Sequence, residues 1–420
     1  MNNKIKSQGG IFSTLTIVAA LGYFVDIYDL VLFSVERVDS LRDILGQNIS
    51  DSVLEKEGKF LLNMQMGGML VGGIIWGILG DKKGRITVLF GSILIYSIAN
   101  ILNGFVQNIE QYALLRFISG FGLAGELGVG ITLVSETLST KSRGYGATFV
   151  ATIGVFGAVV AGFTSELIEN YLQIEESWRY SFFIGGGLGM LLLLMRIGVY
   201  ESGMFQNIKS KNVKRGNFIS LFIIPENRKK FVGIVLATVP VWYVMGILIT
   251  FSPELLRQMG ATFEANAGKA IAFAYIGITV GDLASGLLSQ YLKSRKKTMT
   301  IFILMLVVST ALYLSTAHLG ETWFYLISLI IGFCTGYWAV FITTASELFG
   351  TNIRATATTS APNFVRGSVI LLTFLNTLFK DWTGSLLSSA IILGILVFAA
   401  AIYSVRKLPE TFHKDLDYAE

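Results

Sequence analysis

The sequence predicts an all-α protein that crosses a lipid bilayer many times. Of its residues, 53% are hydrophobic and 15% are charged, and the mean hydropathy is +0.62. A water-soluble chain of 420 residues would need more polar side chains to cover its surface. Stretches of ~20 apolar residues recur along the chain, and each can cross a hydrocarbon core of ~30 Å as a helix.

The apolar stretches predict twelve transmembrane helices. Because this number is even, both ends of the chain are expected on the same side of the membrane. The first stretch runs past Asp26 without a cleavage site of small residues, so we expect a retained helix rather than a removed signal peptide. The helices are expected near residues 14–36, 60–80, 86–106, 110–134, 145–169, 179–199, 231–253, 266–290, 298–317, 321–345, 356–379 and 384–404.

Basic residues in the loops predict which side is cytoplasmic. They fall on one side of the predicted helices, whereas the opposite loops are acidic or mixed, as at Glu175 and Glu176. By the positive-inside rule, the basic side and both termini face the cytoplasm across the inner, or plasma, membrane. The net charge of +5 therefore reflects orientation in the bilayer, and no nucleic-acid partner is expected. The basic positions are Lys4, Lys6, Lys82, Lys83, Arg85, Lys141, Arg143, the segments 209–230 and 293–297, Arg406 and Lys407.

The sequence predicts neither an enzyme nor a metal or cofactor site. The single cysteine, Cys334, excludes an internal disulfide and a thiolate cluster, and the histidines His318 and His413 lie far apart in the sequence. No nucleophile with a neighbouring base and no phosphate-binding loop can be placed.

A polar linker, 200–230, divides the chain into halves that look like copies. Glu136 precedes Arg143 by seven residues, and Glu347 precedes Arg354 by seven residues, at an offset of 347 − 136 = 211. Two membrane halves related by a repeat, with a site at the midplane between them, are the plan of an alternating-access transporter. We expect a monomer with an N-terminal six-helix bundle over 1–199, a C-terminal bundle over 231–405 and a cytoplasmic tail over 406–420.

A short polar loop, 77–85, separates the second and third predicted helices. Gly77 is followed by Asp81 at +4, Gly84 at +7 and Arg85 at +8. The glycines let two helices approach closely and let the backbone turn, while the aspartate and arginine can pair. This spacing resembles the loop between helices two and three of the major facilitator superfamily of transporters. The resemblance implies the fold of that superfamily, two pseudo-symmetric bundles of six helices.

The same resemblance implies that charged residues at the cytoplasmic helix ends close an inner gate. Exposed ion pairs contribute only ~0 to 1 kcal/mol each, so a gate needs a network of them. The alternative is that these charges merely mark the membrane boundary. The predicted gate residues are Gly77, Asp81, Gly84, Arg85, Glu136, Arg143, Glu347 and Arg354.

The first predicted helix carries Asp26 and Asp29 on one face. An ionised acid near the bilayer middle costs at least ~2.5 to 3.5 kcal/mol, so such residues usually face a wet cavity and act as relays or ligands. With Tyr28 between them, this run resembles the first helix of the metabolite:proton symporters and the aromatic-acid symporters of the superfamily. The alternative is that each acid is structural and is held by a partner.

The fourth predicted helix carries Arg116 and Glu126, which lie 126 − 116 = 10 residues, or about 15 Å, apart and so are not expected to pair with each other. Asp26 and Asp29 are the expected partners in another helix. A buried carboxyl beside an arginine can load and release a proton near neutral pH. We interpret Asp26, Asp29 and Glu126 as proton-coupling residues that Arg116 poises. A static network of charge pairs is the alternative.

The eleventh predicted helix supplies a candidate ligand for an anionic substrate. Arg366 is a permanent cation whose planar fork matches a carboxylate, and Asn363 lies beside it. The alternative pairs Arg366 with Asp282 in a fixed salt bridge. Otherwise Asp282 is expected as a counter-charge or as the site for a substrate ammonium. Aromatic residues are the candidates for the cavity wall; in the alternative, they only pack between helices. These residues are Tyr28, Trp242, Tyr243, Tyr337 and Trp338.

Further boundary motifs resemble those of sugar porters. These are Trp178-Arg179, Glu201-Ser202 and the run from Leu408 to Thr411. The paired glutamines that sugar porters carry in the seventh helix are absent from residues 232–251, which argues against a hexose substrate.

These features predict a secondary active transporter that imports a small carboxylate-bearing metabolite, an amino acid or an organic acid, together with protons by alternating access. A proton antiporter that exports drugs or siderophores would use the same fold and inner gate. The alternative of a different class is a non-transporting receptor on the same scaffold, although the chain has no long soluble appendage through which to signal.

Overall fold

The computed structural model describes residues 12–138, 142–168, 171, 176–197, 216–315, 318–412 and 414, and within them every regular element is a helix. The N-terminal half contains α1 (Thr14–Leu45), α2 (Asp51–Lys83), α3 (Arg85–Asn103), α4 (Ile109–Leu123), α5 (Glu126–Thr137), α6 (Arg143–Leu167) and α7 (Ser177–Met195).

The C-terminal half begins after a short connecting helix, α8 (Ser220–Ile223). Its helices are α9 (Pro225–Leu236), α10 (Val239–Tyr243), a π-helical turn (Val244–Ile249), α11 (Ser252–Gln258), α12 (Ala267–Tyr291), α13 (Arg295–Tyr313), α14 (Glu321–Thr335), α15 (Trp338–Leu348), α16 (Arg354–Thr383) and α17 (Leu386–Lys407).

Among the described residues, eleven helical segments are long and apolar enough to cross a membrane. They correspond to eleven of the twelve predicted spans. The remaining predicted span, the eleventh in chain order, is α16; it is 30 residues long, but its first third consists mainly of small and hydroxyl-bearing residues. That part of α16 is buried and packs against α2 of the other half, so it needs no apolar surface toward lipid.

Three predicted spans are interrupted. The fourth breaks between α4 and α5, the tenth breaks between α14 and α15, and the seventh contains the π-helical turn Val244–Ile249. Gly125 and Gly336 at the two breaks touch neighbouring helices, where a Cβ would lie 2.7 Å from Ser92 and 2.4 Å from the Gly281 backbone. Broken helices leave N–H and C=O groups at mid-depth that need buried partners. Hydropathy does not reveal the breaks, because apolar residues continue across them.

Within each half, two helices cross closely at glycines, and these glycines lie at corresponding positions of the two halves. In the N-terminal half, a Cβ on Gly68 of α2 or Gly120 of α4 would lie within 2.1 Å of a main-chain oxygen of the other helix. Gly277 of α12 and Gly332 of α14 make the same close crossing, with a Cβ at 2.0 Å. Their offsets from the first pair, 277 − 68 = 209 and 332 − 120 = 212, match the repeat of 211 in the sequence.

The boundaries of the connecting segments differ slightly from those predicted. Of the predicted linker 200–230, residues 216–230 are described, and α9 begins inside it at Pro225, a residue suited to the first turn of a helix. The α17 helix continues to Lys407, so the predicted tail starts within the helix.

Candidate functional site

The two halves meet at a buried ion pair between α1 and α16. Nη2 of Arg366 lies 3.8 Å from Oδ2 of Asp26, and both side chains are at most 1% exposed. Arg366 also donates from Nη1 to Oδ1 of Asn363 at 3.4 Å. Neither oxygen of Asp26 accepts a hydrogen bond from any described residue. A buried charge normally needs both an opposite charge and hydrogen bonds, so this pair is incompletely satisfied.

A cavity of about 30 Å³ lies beside Arg366 and is lined by both halves. It has room for only one or two water molecules. Aromatic side chains form much of its wall: Tyr23 from the N-terminal half, and Trp242, Tyr275 and Trp338 from the C-terminal half. The guanidinium carbon of Arg366 lies 5.6 Å from the ring centroid of Trp338, within cation–π range. A carboxylate bound here would meet one cation and several aromatic faces.

Asn363 contributes to the contact between the halves as well as to the site. Its Nδ2 donates to the main-chain oxygen of Ala124 at 2.9 Å, at the break between α4 and α5. This bond satisfies a carbonyl that the interrupted helix leaves unpaired. The side chain predicted to bind substrate therefore also joins α16 to the opposite half.

Asp29 and Arg116 lie deeper in the N-terminal half. Arg116 donates to Oδ1 of Asn100 at 2.8 Å and to Oδ1 of Asn103 at 3.3 Å, and it stacks over Phe182. Both oxygens of Asp29 are buried without a hydrogen-bond partner among the described residues. Within those residues, no ion pair of 4.0 Å or less joins Asp29 to Arg116. The expected direct pairing of these two groups is therefore not formed in this conformation.

Glu126 pairs with an arginine that the sequence reading missed. Oε2 of Glu126 lies 2.6 Å from Nη2 of Arg196, Oε1 accepts from Nη1 at 2.9 Å, and Ser92 adds a hydrogen bond at 2.9 Å. Gly22 of α1 passes over this pair, since a Cβ there would lie 2.1 Å from Nη2 of Arg196. The only signal in the sequence was a lone arginine at the end of the sixth apolar run.

Asp282 caps an interrupted helix and does not pair with Arg366. Its Oδ1 accepts a hydrogen bond from the main-chain nitrogen of Ala339 at 3.0 Å, in the first turn of α15. The reading that placed Asp282 in a fixed salt bridge with Arg366 is wrong, because Arg366 faces Asp26 across the interface of the halves. Carboxylates are favoured at helix N-termini, where main-chain N–H groups lack partners.

The predicted aromatic residues divide into two groups. Trp242 and Trp338 line the cavity. The hydroxyls of Tyr28, Tyr243 and Tyr337 instead donate to main-chain oxygens, at 3.3, 2.6 and 3.0 Å. Two tyrosines that the sequence reading did not select, Tyr23 and Tyr275, complete the aromatic wall. Tyr23 precedes Asp26 by about one helical turn, which was the available signal.

One end of the molecule carries Lys82, Lys83, Arg406 and Lys407 and is here called the basic end. Asp81 closes this end. Its carboxylate accepts hydrogen bonds from the main-chain nitrogens of Ala355 and Thr356, at 3.1 and 2.7 Å, and from Oγ1 of Thr356 at 2.7 Å. It therefore caps α16 of the opposite half. Gly77 allows this approach, since a Cβ there would lie 2.9 Å from Cα of Thr356. Gly84 ends α2 at φ 114°, a conformation that favours glycine.

A charge network surrounds that cap. Glu136 contacts Arg85 at 2.9 Å and Arg354 of the opposite half at 3.3 Å, and Arg85 lies 3.4 Å from Asp81. These side chains are buried, so salt and solvent screen the network less than they screen exposed pairs, and removal of one partner would leave a buried charge uncompensated. The side chain of Arg143 lies outside the described part of the structure.

In the C-terminal half, Glu347 and the tail form a second cluster at the basic end. Glu347 contacts Arg295 at 3.2 Å and accepts a hydrogen bond from Thr411 at 2.9 Å. Glu410 accepts from the Ser294 hydroxyl and from the main-chain nitrogen of Arg295, so it caps α13. Glu347, which corresponds to Glu136 in the predicted repeat, thus also lies in a charge cluster, although its contacts are with Arg295 and Thr411 rather than with Arg85 and Arg354.

The end opposite the basic end is closed by a pair that the sequence reading also missed. Arg37 of α1 donates to both oxygens of Glu254 in α11, at 2.8 and 3.2 Å, and to the main-chain oxygen of Thr250 at 3.3 Å. Lys380 of α16 adds a contact to Glu55 of α2 at 3.0 Å. Contacts between the halves therefore exist at both ends, and the central cavity is occluded.

Comparison with known proteins agrees with this architecture. The sequence model of the Major Facilitator Superfamily matches residues 19–373. Among curated relatives, a probable 4-methylmuconolactone transporter of Cupriavidus pinatubonensis is 27% identical over 359 residues, which cover 81% of this chain and 79% of that protein. The cis,cis-muconate transport protein of Acinetobacter baylyi is 27% identical over 418 residues, covering 95% of this chain and 94% of that protein.

Solved structures show the same fold. The proton:xylose symporter XylE, bound to 6-bromo-6-deoxy-D-glucose, superposes with a TM-score of 0.74 at 19% identity, covering 97% of this chain and 98% of that one. The inward-open conformation of XylE from E. coli superposes with a TM-score of 0.66, covering 96% of this chain and 97% of that one. The family is one of transporters and not of enzymes. On the match across residues 19–373 and this fold, the chain belongs to the Major Facilitator Superfamily.

Proposed function

We propose that this transporter imports a small organic acid together with a proton, by alternating access through the cavity at Arg366. The observation that carries the proposal is the buried pair of Asp26 and Arg366, which joins the two halves without a hydrogen bond. The basic end is assigned to the cytoplasm and the opposite end to the cell exterior, with the chain acting as a monomer in the inner membrane.

The first step is competition for Arg366. Its guanidinium forms a weak contact with Asp26 at 3.8 Å, and its Nε and Nη2 have no hydrogen-bond partner among the described residues. A substrate carboxylate can accept two parallel hydrogen bonds from such a fork. It would therefore displace Asp26 from Arg366.

The second step couples a proton to that exchange. Asp26 and Arg366 together carry no net charge, and an added carboxylate would leave one uncompensated negative charge in a buried site. Protonation of Asp26 removes that charge, which the low-polarity interior would otherwise disfavour. Substrate and proton thus favour each other's binding, and by thermodynamic linkage the effect is reciprocal. Asp29, whose carboxylate lies against Gly185 and has no hydrogen-bond partner among the described residues, is proposed as a second proton site on the same helix.

Release to either side requires one set of contacts between the halves to break. At the basic end these are the cap of α16 by Asp81 and the bridge from Glu136 to Arg354. At the opposite end the contact is the pair of Arg37 and Glu254. Each set would form while the other opens, which is the requirement of alternating access.

The aromatic wall and the engagement of Asp282 support an organic acid over an amino acid. The sequence makes Asp282 the candidate partner for a substrate ammonium, but its carboxylate caps α15 and Asp282 is not part of the cavity wall. Two relatives are named as transporters of muconate and of a muconolactone. These observations support the proposed substrate class.

Uptake by the purified chain in proteoliposomes tests the proposal. Radiolabelled organic acids should accumulate when the outside is acidic and should only equilibrate without a pH gradient. Arg366→Gln should abolish uptake, whereas Arg406→Gln, an exposed position at the end of α17, should leave it unchanged. Accumulation that ignores the gradient would refute proton coupling. Uptake that survives Arg366→Gln would refute the assigned site.

A further inference from the structure

The wall of the central cavity is rich in hydrogen-bond donors that have no partner. Nε and Nη2 of Arg366, Nε1 of Trp338 and the hydroxyl of Tyr23 are all buried without a hydrogen bond to any described residue. All three side chains line the same cavity, and each is at most 4% exposed. Burial of an unpaired donor is unfavourable, so four such atoms around one space indicate a ligand that pairs with them.

The chemistry of these groups restricts what that ligand can be. A guanidinium and an indole N–H can only donate, whereas the tyrosine hydroxyl can donate or accept. A carboxylate held by Arg366 uses the guanidinium donors. The indole N–H belongs to a separate side chain, whose ring lies against the guanidinium with 5.6 Å between its centroid and the guanidinium carbon. It therefore needs an acceptor of its own.

We propose that Trp338 is a specificity-determining residue that selects organic acids with a second hydrogen-bond acceptor, such as another carboxylate, a carbonyl or a ring nitrogen. Tyr23, which the N-terminal half contributes to the cavity wall, orients the same group through its hydroxyl. This inference rests on the proposed function, because it takes the carboxylate at Arg366 as given. An acid without a second acceptor would leave the Trp338 N–H buried and unpaired, which binding sites of this kind reject strongly.

The competing reading is that Trp338 only packs. Its ring does touch Phe341, with 5.0 Å between the centroids. A Trp338→Phe variant separates the two readings, since it keeps an aromatic ring at the position and removes the N–H. A matched control is Trp76→Phe, because Trp76 donates its N–H to the main-chain oxygen of Phe121 at 2.8 Å and does not line the cavity.

The experiment measures affinities of the full-length chain for matched acids. Benzoate is compared with the isomeric pyridinecarboxylates, which exchange one ring C–H for a nitrogen acceptor, and with the isomeric benzenedicarboxylates. Inhibition of uptake into proteoliposomes gives each affinity, and binding to purified protein is measured in parallel. The wild type should prefer at least one second-acceptor acid over benzoate by about ten-fold or more.

Trp338→Phe should bring that preference to within about two-fold, and Trp76→Phe should keep it. A wild type that binds benzoate as well as every second-acceptor acid would overturn the inference, as would a preference that survives Trp338→Phe. In both cases, if benzoate binds the wild type and Arg366→Gln abolishes that binding, the proposed function still stands and only the role of Trp338 is refuted. If no acid binds the wild type, the proposed function itself fails.

Discussion

The pair of Arg37 and Glu254 offers a quantitative test of how the end opposite the basic end closes. Both side chains are buried, at 0% and 6% exposure, and two hydrogen bonds join them. Removing one charge from such a pair costs ~3 to 5 kcal/mol, because the remaining charge stays buried. Glu254→Gln keeps one acceptor for Arg37, so the lower value of ~3 kcal/mol applies. That cost falls on the closed state alone and shifts the equilibrium toward opening by roughly 100-fold.

Cysteine labelling measures this shift. A reporter cysteine replaces Ile27, which lines the cavity, in a chain whose own cysteine is removed by Cys334→Ala. A membrane-impermeant maleimide is added from the side opposite the basic end. Glu254→Gln should raise the labelling rate by roughly 100-fold, because labelling follows the population of the open state.

The control breaks a neighbouring contact that is partly exposed. Lys380 is 30% exposed, and Glu55 also contacts Lys59 at 2.7 Å, so Lys380→Met should cost at most ~1 kcal/mol and raise labelling by no more than about five-fold. An unchanged rate in Glu254→Gln, or equal acceleration by both variants, would show that the buried pair does not hold this end closed.

Three further predictions concern other contacts between or within the halves. Asp81→Asn removes the negative charge that caps α16, so opening of the basic end should become more favourable by ~1 to 2 kcal/mol. The reporter cysteine at position 27 should then be labelled faster from that side, and slower labelling would contradict the prediction. Glu126→Gln leaves Arg196 buried without its counter-charge and should lower the free energy of unfolding by ~3 kcal/mol. The melting temperature in detergent should fall accordingly, and an unchanged melting temperature would show that the pair does not stabilise the fold. Burial acts to raise the pKa of Glu410, but hydrogen bonds from Ser294 and from the backbone of residues 295, 411 and 412 outweigh it and lower that pKa below its usual value. The contact of Glu410 with the start of α13 should therefore contribute its full stabilisation above the normal glutamate pKa, and that contribution should decline as pH falls from the normal pKa through the lowered one. The difference in melting temperature between wild type and Glu410→Gln should thus be constant near neutral pH and shrink in acid, and a difference that grows in acid would reverse the assigned sign.

Much of the fold could be predicted from the sequence because hydropathy and loop charge are local properties. The apolar runs gave eleven of the membrane helices directly, and the spacing of Gly77, Asp81 and Arg85 identified the family. The predicted repeat recurs in the structure as matched glycine crossings between helices. The interrupted helices could not be predicted in the same way, since their breaks depend on which neighbour fills the gap.

The sequence selects several residues of the candidate site by type but does not show which of them pair. Asp26 and Arg366 were both selected from the sequence, yet their contact was not, because it depends on how two distant helices meet across the interface of the halves. Glu126 was selected, and its partner Arg196 was missed for the same reason. Arg37 and Glu254 were missed altogether, since each resembles an ordinary charge at a helix end until the halves are brought together.

The most direct test of the central claim is the number of protons taken up when substrate binds to the purified protein. A pH indicator in weakly buffered detergent solution, read during titration with the transported acid, measures that number. If the acid displaces Asp26 from Arg366 and Asp26 then takes up a proton, the wild type should consume protons on binding, and Asp26→Asn should bind the acid without that consumption. Equal proton uptake by wild type and Asp26→Asn would contradict the account.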